Sequence, residues 1–204
     1  MTGMSYGLIG AFVMFAVVTL FTPGPNNVML MTTGLNFGLR RAQPHVLGVT
    51  LGFSLMVLIV GLGLGAVFSA FPALYTVIKY AGAAYILYLA WLIGRSHSVE
   101  EGEAPARPVS FIEAVLFQWV NPKGWVMIVG AVTAYAAVAS FPVNMVVMAA
   151  VFCVFGYASS LTWVLFGTGL RRFVQAPRAI RIFNVVMAVL LVLSLVPVFA
   201  DSWH

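Results

Sequence analysis

A run of 32 residues without a charged side chain, from Tyr6 to Phe37, is interrupted in its middle by two prolines that flank a glycine. As one helix this run would be about 48 Å long at ~1.5 Å per residue, whereas the hydrocarbon core of a bilayer is only about 30 Å thick. Proline removes a backbone donor and disfavours helical geometry in the residue before it. We therefore expect a helix that is broken at membrane depth, where non-helical backbone needs protein or a water-filled cavity around it.

The break carries polar side chains and free backbone N–H groups. Asn26 and Asn27 begin the second half-helix, and a helix N-terminus favours an anion such as a carboxylate. An ammonium group would suit the backbone carbonyls that a break exposes. We predict a binding site here, and a packing kink at a helix end is the alternative. The candidate residues at this first break are Thr22, Pro23, Gly24, Pro25, Asn26 and Asn27.

The composition is that of an integral membrane protein. Of 204 residues, 62% are hydrophobic and 7% are charged, against about 25% charged in soluble domains. The formal net charge is +5, but the arginines lie in short loops between apolar runs. There they indicate membrane topology and contacts with lipid headgroups rather than nucleic-acid binding.

Six apolar runs are long enough to span a bilayer, and all are expected to be helices. They cover about Tyr6–Phe37, Val46–Phe71, Ala73–Gly94, Phe111–Ala139, Val143–Leu170 and Ile180–Ala200. All eight arginines follow the first, third or fifth run. The positive-inside rule makes that face cytoplasmic, so both termini should lie outside. The first run is expected to be retained rather than cleaved as a signal peptide.

The fourth run repeats the interruption of the first, since Asn, Pro and Gly recur between Gln118 and Gly124. Pro23 and Pro122 are 99 positions apart (122 − 23). Two halves of three spans each must have opposite orientations, which is the inverted-repeat architecture of many transporters. We expect one transmembrane domain, with repeat one at about 6–94, a loop at 95–110 and repeat two at about 111–200. The further candidate residues are Gln118, Asn121, Pro122 and Lys123 at the second break and Tyr85 in the third span.

Lys123 is the charged residue whose position most needs an explanation, because it lies inside an apolar span, where a charge is costly. Its ammonium could meet a substrate carboxylate or take part in proton coupling, or it could extend to the arginine-rich face. Glu113 lies two residues into the same span and should reach the interface. The polar groups of the two breaks would cluster if the repeats face one another.

No enzyme site is evident in the sequence. The histidines His45, His97 and His204 are expected in loops or at the terminus, without the spacing of metal ligands. No phosphate-binding GxxxxGK[ST] is present, so an ion gradient is left as the energy source, and no cofactor or metal is expected. The single cysteine, Cys153, excludes a dithiol redox carrier.

Glycines spaced four apart, such as Gly34 and Gly38 or Gly48 and Gly52, predict close helix packing. An oligomer interface, as in a homo-oligomer, or a sliding surface are the alternatives.

The motifs of the two breaks resemble the LysE/RhtB family of amino-acid exporters. The resemblance rests on Pro23 to Asn27, on Gly38-Leu39-Arg40 with Gly48 and Gly52, on Gly82 to Leu87 and on Asn121-Pro122-Lys123. Within the family the chain is most similar to the cysteine/O-acetylserine exporters, through Pro23 to Asn27, Ala90-Trp91 and Phe117 to Asn121, although homoserine, threonine and leucine exporters share much of this. The resemblance implies export of amino acids or their derivatives across the bacterial inner membrane, driven by the proton gradient.

The interpretation as an exporter predicts alternating access, with the two repeats rocking around a central site. A structural or assembly subunit without a substrate is the alternative. It predicts a dry interior, whereas a polar cavity joining Asn26, Asn121 and Lys123 would argue against it.

Overall fold

The computed structural model of the chain describes residues 6–64, 107–170 and 177–193, together with 77, 80, 83, 84, 86–88, 90, 91, 93 and 94. Regular structure within these ranges is entirely helical. Tyr85 and most of the connection at 95–110 lie outside the described residues.

The helices follow the predicted apolar runs. They are α1 (Tyr6–Phe21), α2 (Pro25–Ile59, continued by a π-helical turn at Val60–Leu64), α3 (Phe111–Val120), α4 (Pro122–Tyr135, followed by a 3-10 turn at Ala136–Val138), α5 (Val143–Leu170) and α6 (Pro177–Leu193). The described residues between 77 and 94 are helical as well. The α5 helix has the predicted bounds, and α6 begins three residues before the predicted Ile180.

Both predicted interruptions are confirmed. The first separates α1 from α2, and the second separates α3 from α4 at the single residue Asn121. In each case a proline, Pro25 or Pro122, begins the second helix. Proline suits that position because its missing N–H would have no partner within the helix. Each break therefore puts a proline at the first position of the following helix, where it destabilises the helix least.

The α2 helix contains a sharp bend at Gly38. Its φ of 75° and ψ of 171° lie in a region that glycine enters readily. The bend divides a half-helix, residues 25–37, from the second predicted run. Because the turn is complete at Gly38, the helix resumes before the predicted Val46. The expectation that His45 lies in a loop is wrong, since it is fully buried in α2 with its Nδ1 3.0 Å from the Thr33 Oγ1.

Glycine allows α2 and α5 to pack backbone against backbone. A Cβ added to Gly34 would overlap the Val164 carbonyl, and one added to Gly167 would overlap the Met31 carbonyl. Small residues let helices approach in this way. The predicted packing role is confirmed for Gly34, whereas Gly38, for which the same role was predicted, makes the bend.

Aromatic rings join three helices beside the breaks. The Phe152 ring of α5 lies edge-on to Phe12 of α1 and to Phe53 of α2, with centroids 5.2 Å apart in both pairs. Edge-to-face pairs of this kind stabilise a contact beyond the apolar area they bury. The Phe152 ring thus packs against both of the other rings beside the polar groups described below.

The surface is as apolar as a membrane span requires. Large side chains such as Ile112, Met14 and Val154 are about two-thirds exposed, at 67%, 65% and 65%. Exposed apolar area on this scale marks a surface made for an apolar partner or membrane. By length and composition, the segment Pro25–Gly63 and helix α5 could each cross a membrane, and the remaining described apolar helices are shorter.

Glu113 closes the start of α3. Its carboxylate accepts hydrogen bonds from the Ser110 backbone N–H at 2.9 Å and from the Arg107 guanidinium at 2.8 Å. The Ser110 hydroxyl in turn accepts from the Glu113 N–H, which completes a capping box. The carboxylate is therefore engaged at the helix end.

Candidate functional site

A reciprocal pair of side-chain amides joins the two breaks. The Asn26 Nδ2 donates to the Gln118 Oε1 at 2.8 Å, and the Gln118 Nε2 donates back to the Asn26 Oδ1 at 3.2 Å. Gln118 is fully buried and also donates to the Ala114 carbonyl at 2.7 Å. Residues 92 positions apart in sequence are thus held together inside the protein, as clustering of the two breaks would require.

Asn27 supplies hydrogen-bond donors to backbone carbonyls at the C-terminal end of α1. Its Nδ2 donates to the Leu20 and Thr22 carbonyls, both at 2.8 Å. The last carbonyls of a helix have no partner within it and need such donors. Since both partners are carbonyl oxygens, the amide orientation is determined and the Asn27 Oδ1 is left as an acceptor.

Lys123 crosses from the second break to the first. Its Nζ donates to the Thr22 carbonyl at 2.6 Å, 101 positions away in sequence. The side chain passes directly over Gly24, where an added Cβ would lie 2.7 Å from the Lys123 Cδ and 3.0 Å from the Nζ. A glycine at position 24 is therefore what lets the ammonium enter the break.

Asn121 forms the second break. Its extended backbone ends α3, and its Oδ1 caps α4 by accepting from the Lys123 N–H at 3.2 Å. Asparagine is a preferred N-cap because its side chain replaces the missing helical acceptor.

A small cavity of about 40 Å³ lies between the breaks. A water molecule needs roughly 10–15 Å³ by this measure, so the cavity has room for a few waters only. Small-molecule pockets are about 300–1,000 Å³, and this one would have to widen to admit a substrate. It is lined by Thr19, Leu20, Gly24, Asn26, Asn27, Val49, Thr50, Phe53, Asn121, Lys123, Gly124, Met127, Phe152, Gly156, Ser159 and Ser160.

The cavity gathers about half of the residues that the sequence singled out. Gly24, Asn26, Asn27, Asn121 and Lys123 line it. Gln118 does not line the cavity but is hydrogen-bonded to Asn26, which does. Pro25 and Pro122 are buried at the starts of α2 and α4, whereas Pro23 is exposed. Thr22 contributes its carbonyl, while its hydroxyl donates to the Val18 carbonyl at 2.6 Å. Tyr85 lies outside the described residues.

Sequence reasoning missed the hydroxyl groups on the facing helices, Thr50 of α2 and Ser159 and Ser160 of α5. All three are buried and line the cavity. A signal existed, because each is a polar residue inside a charge-free span. Without a proline beside them, however, nothing in the sequence distinguished these residues from helix-packing hydroxyls.

The Leu20 and Thr22 carbonyls beside the first break are already occupied, contrary to the expectation that carbonyls there would be open to an ammonium. The Leu20 carbonyl accepts from the Asn27 amide and from the Ser159 hydroxyl at 2.9 Å. The Thr22 carbonyl accepts from the same amide and from Lys123. A carbonyl oxygen has two lone pairs, so neither has capacity left in this conformation.

The chemistry of the cavity is that of charge pairing and hydrogen bonding. Among its described lining residues, Lys123 is the single charged group, and no carboxylate accompanies it. The described part of the chain also contains no group of three His, Cys, Asp or Glu side chains that could hold a metal ion. The arrangement suits a small polar molecule that carries a negative group.

Comparison with known proteins identifies relatives over almost the whole chain. The family model for the LysE type translocator matches residues 17–196. The cysteine/O-acetylserine efflux protein of Escherichia coli strain K12 is 32% identical over 199 residues, which cover 96% of this chain and 100% of the relative. The protein of the same name from Shigella flexneri is 32% identical over 195 residues, covering 94% and 97%. No solved structure matches the chain. The chain belongs to the family of LysE-type translocators.

Proposed function

We propose that this protein is a secondary transporter that exports an amino acid or amino-acid derivative from the bacterial cytoplasm. The observation that carries the proposal is the meeting of two helix breaks around a cavity that contains the Lys123 ammonium. The names of the relatives favour cysteine or O-acetylserine as substrate. Homoserine, threonine and leucine, which other members of the family export, are the next candidates.

The substrate carboxylate binds at Lys123 and at the N-terminus of α2. Lys123 uses one of its three N–H donors on Thr22, so further donors remain for an anion. The α2 helix begins at Pro25 without a side-chain cap, and its first N–H groups are unpaired within the helix. Helix dipole and ammonium favour the same sign of ligand charge.

Transport proceeds by alternating access of two inverted three-helix repeats, at about 6–94 and 111–200, in the cytoplasmic membrane. The cavity is smaller than an amino acid, which is consistent with a contracted state that opens to one side at a time. The Asn26–Gln118 and Lys123–Thr22 contacts would separate in each cycle.

Proton antiport supplies the energy for transport. The arginine-rich face lies in the cytoplasm next to anionic lipids, and both termini lie outside. Whether the carrier works as a homo-oligomer does not affect this mechanism.

A structural or assembly subunit is the second candidate. It requires a dry interior, with each break sealed by apolar packing. The polar lining that Asn26, Asn121 and Lys123 share favours the carrier instead.

Replacement of Lys123 tests the proposal. Lys123→Ala removes the charge that pairs with the substrate carboxylate, and Lys123→Arg keeps it. A hydrogen bond to a charged group contributes about 1.5–3 kcal/mol, so we expect counterflow in proteoliposomes to fall roughly 10- to 100-fold in the alanine variant. The arginine variant should retain more of the flux. Full flux from folded Lys123→Ala protein would contradict the assigned site.

A further inference from the structure

Thr50 differs from the other buried or half-buried helical threonines in what its hydroxyl does. The hydroxyls of Thr19, Thr32 and Thr168 each donate to the carbonyl four residues earlier, as does that of Ser54. The Thr50 Oγ1 is buried and has no hydrogen-bond partner among the residues that the structure describes. Because an unpaired buried hydroxyl is costly, its position needs an explanation other than packing.

The position of Thr50 supplies that explanation. Its side chain is 3% exposed and lines the cavity between the two breaks. Asn27 lines the same cavity and keeps one free acceptor, since both of its amide hydrogens are held by the Leu20 and Thr22 carbonyls. The cavity lining thus includes the Thr50 Oγ1 and the Asn27 Oδ1 as side-chain oxygens that are not committed to the protein.

We propose that the Thr50 hydroxyl, together with the Asn27 Oδ1, accepts hydrogen bonds from the α-ammonium group of the substrate. This inference rests on the proposed function and assigns the end of the zwitterion that Lys123 cannot bind. An ammonium has three N–H donors and no acceptor, and burial without partners is costly. The Leu20 and Thr22 carbonyls cannot serve, because each already accepts two hydrogen bonds.

Three variants separate this role from a structural one. Thr50→Val removes the hydroxyl and keeps the shape of the side chain, whereas Thr50→Ser keeps the hydroxyl. Thr32→Val is the matched control, because Thr32 is a buried threonine of the same helix whose hydroxyl bonds to the Val28 carbonyl and which does not line the cavity.

The experiment measures KM for counterflow in proteoliposomes and the thermal midpoint of each purified variant. Thr50→Val should raise KM about tenfold, the effect of losing one hydrogen bond to a charged group, while Thr50→Ser and Thr32→Val stay within about threefold of wild type. The rise should be the same for every amino acid that the wild type carries, since all share the ammonium. The thermal midpoint of Thr50→Val should equal or exceed that of wild type, because an unpaired buried hydroxyl has been removed.

An unchanged KM in Thr50→Val would overturn the inference and leave the proposed function standing. A KM rise confined to amino acids with a polar side chain would also overturn it, because Thr50 would then contact that side chain. A lower thermal midpoint would overturn it too, because the hydroxyl would then have a structural partner within the protein. If the wild type itself carries no amino acid, the proposed function fails and this inference fails with it.

Discussion

The Asn26–Gln118 pair is the side-chain contact that joins the two breaks most directly, with each amide acting as donor and acceptor. Replacing either residue by alanine leaves the other amide short of a partner, at a cost of about 1–3 kcal/mol. Because the residues share one interaction, we expect the two effects to be non-additive, with a coupling energy of roughly 0.5–3 kcal/mol. A double-mutant cycle on the unfolding free energy in mixed micelles measures it.

Gln43 provides the control for that cycle. Its amide donates within its own helix, to the Leu39 carbonyl at 3.4 Å, so Gln43→Ala combined with Asn26→Ala should be additive. Additivity of Asn26→Ala with Gln118→Ala would contradict the contact itself.

Single residues differ in how far the sequence could predict them. Asn26, Asn27 and Lys123 lie within two positions of prolines that mark a break, so physical argument could identify them as candidates. Thr50 and Ser159 have no such marker, because their approach to the cavity depends on how α2 and α5 pack. That the Leu20 and Thr22 carbonyls can accept no further hydrogen bond could not be predicted either, since it depends on donors 5 to 139 positions away in sequence.

At the scale of helices, Gly34 is one of two glycines that let α2 and α5 pack backbone against backbone. A Cβ there would overlap the Val164 carbonyl, which is backbone and cannot rotate away. Overpacking a tight contact costs about 1–3 kcal/mol, so Gly34→Ala should lower the thermal midpoint of the purified protein. Gly10→Ala is the matched control, because a Cβ on that α1 glycine meets no atom of the described residues within 4 Å.

Gly10→Ala should leave stability unchanged or raise it, since glycine inside a helix is less favourable than alanine by about 1 kcal/mol. Equal midpoints for the two variants would mean that the close approach of α2 and α5 does not contribute to stability.

Apolar patterning predicted most of the helices and both breaks, whereas the junction of the first two runs needed the structure. The arginines after Phe37 indicated a loop, yet α2 resumes directly after Gly38. One residue with a positive φ is enough to redirect the chain, so no longer loop is required. His45 was misplaced for the same reason.

For the whole molecule, the central claim is that the two broken helices form the binding site of a carrier. Composition predicted the membrane setting, and the family was recognisable from the motifs of the breaks. The inverted arrangement of two repeats follows from the odd number of predicted spans in each half and stays a prediction. The small size of the cavity could not be foreseen, because it depends on the conformation that the chain adopts.

The most direct test is the uptake of radiolabelled cysteine and O-acetylserine into proteoliposomes made with the wild-type protein, with and without an acidic interior. Proton antiport predicts saturable exchange without a gradient and accumulation of label when protons can leave the acidic interior. Accumulation that ignores the gradient would contradict the coupling. Absence of saturable flux for these and for homoserine, threonine and leucine, from protein shown to be folded, would contradict the carrier itself.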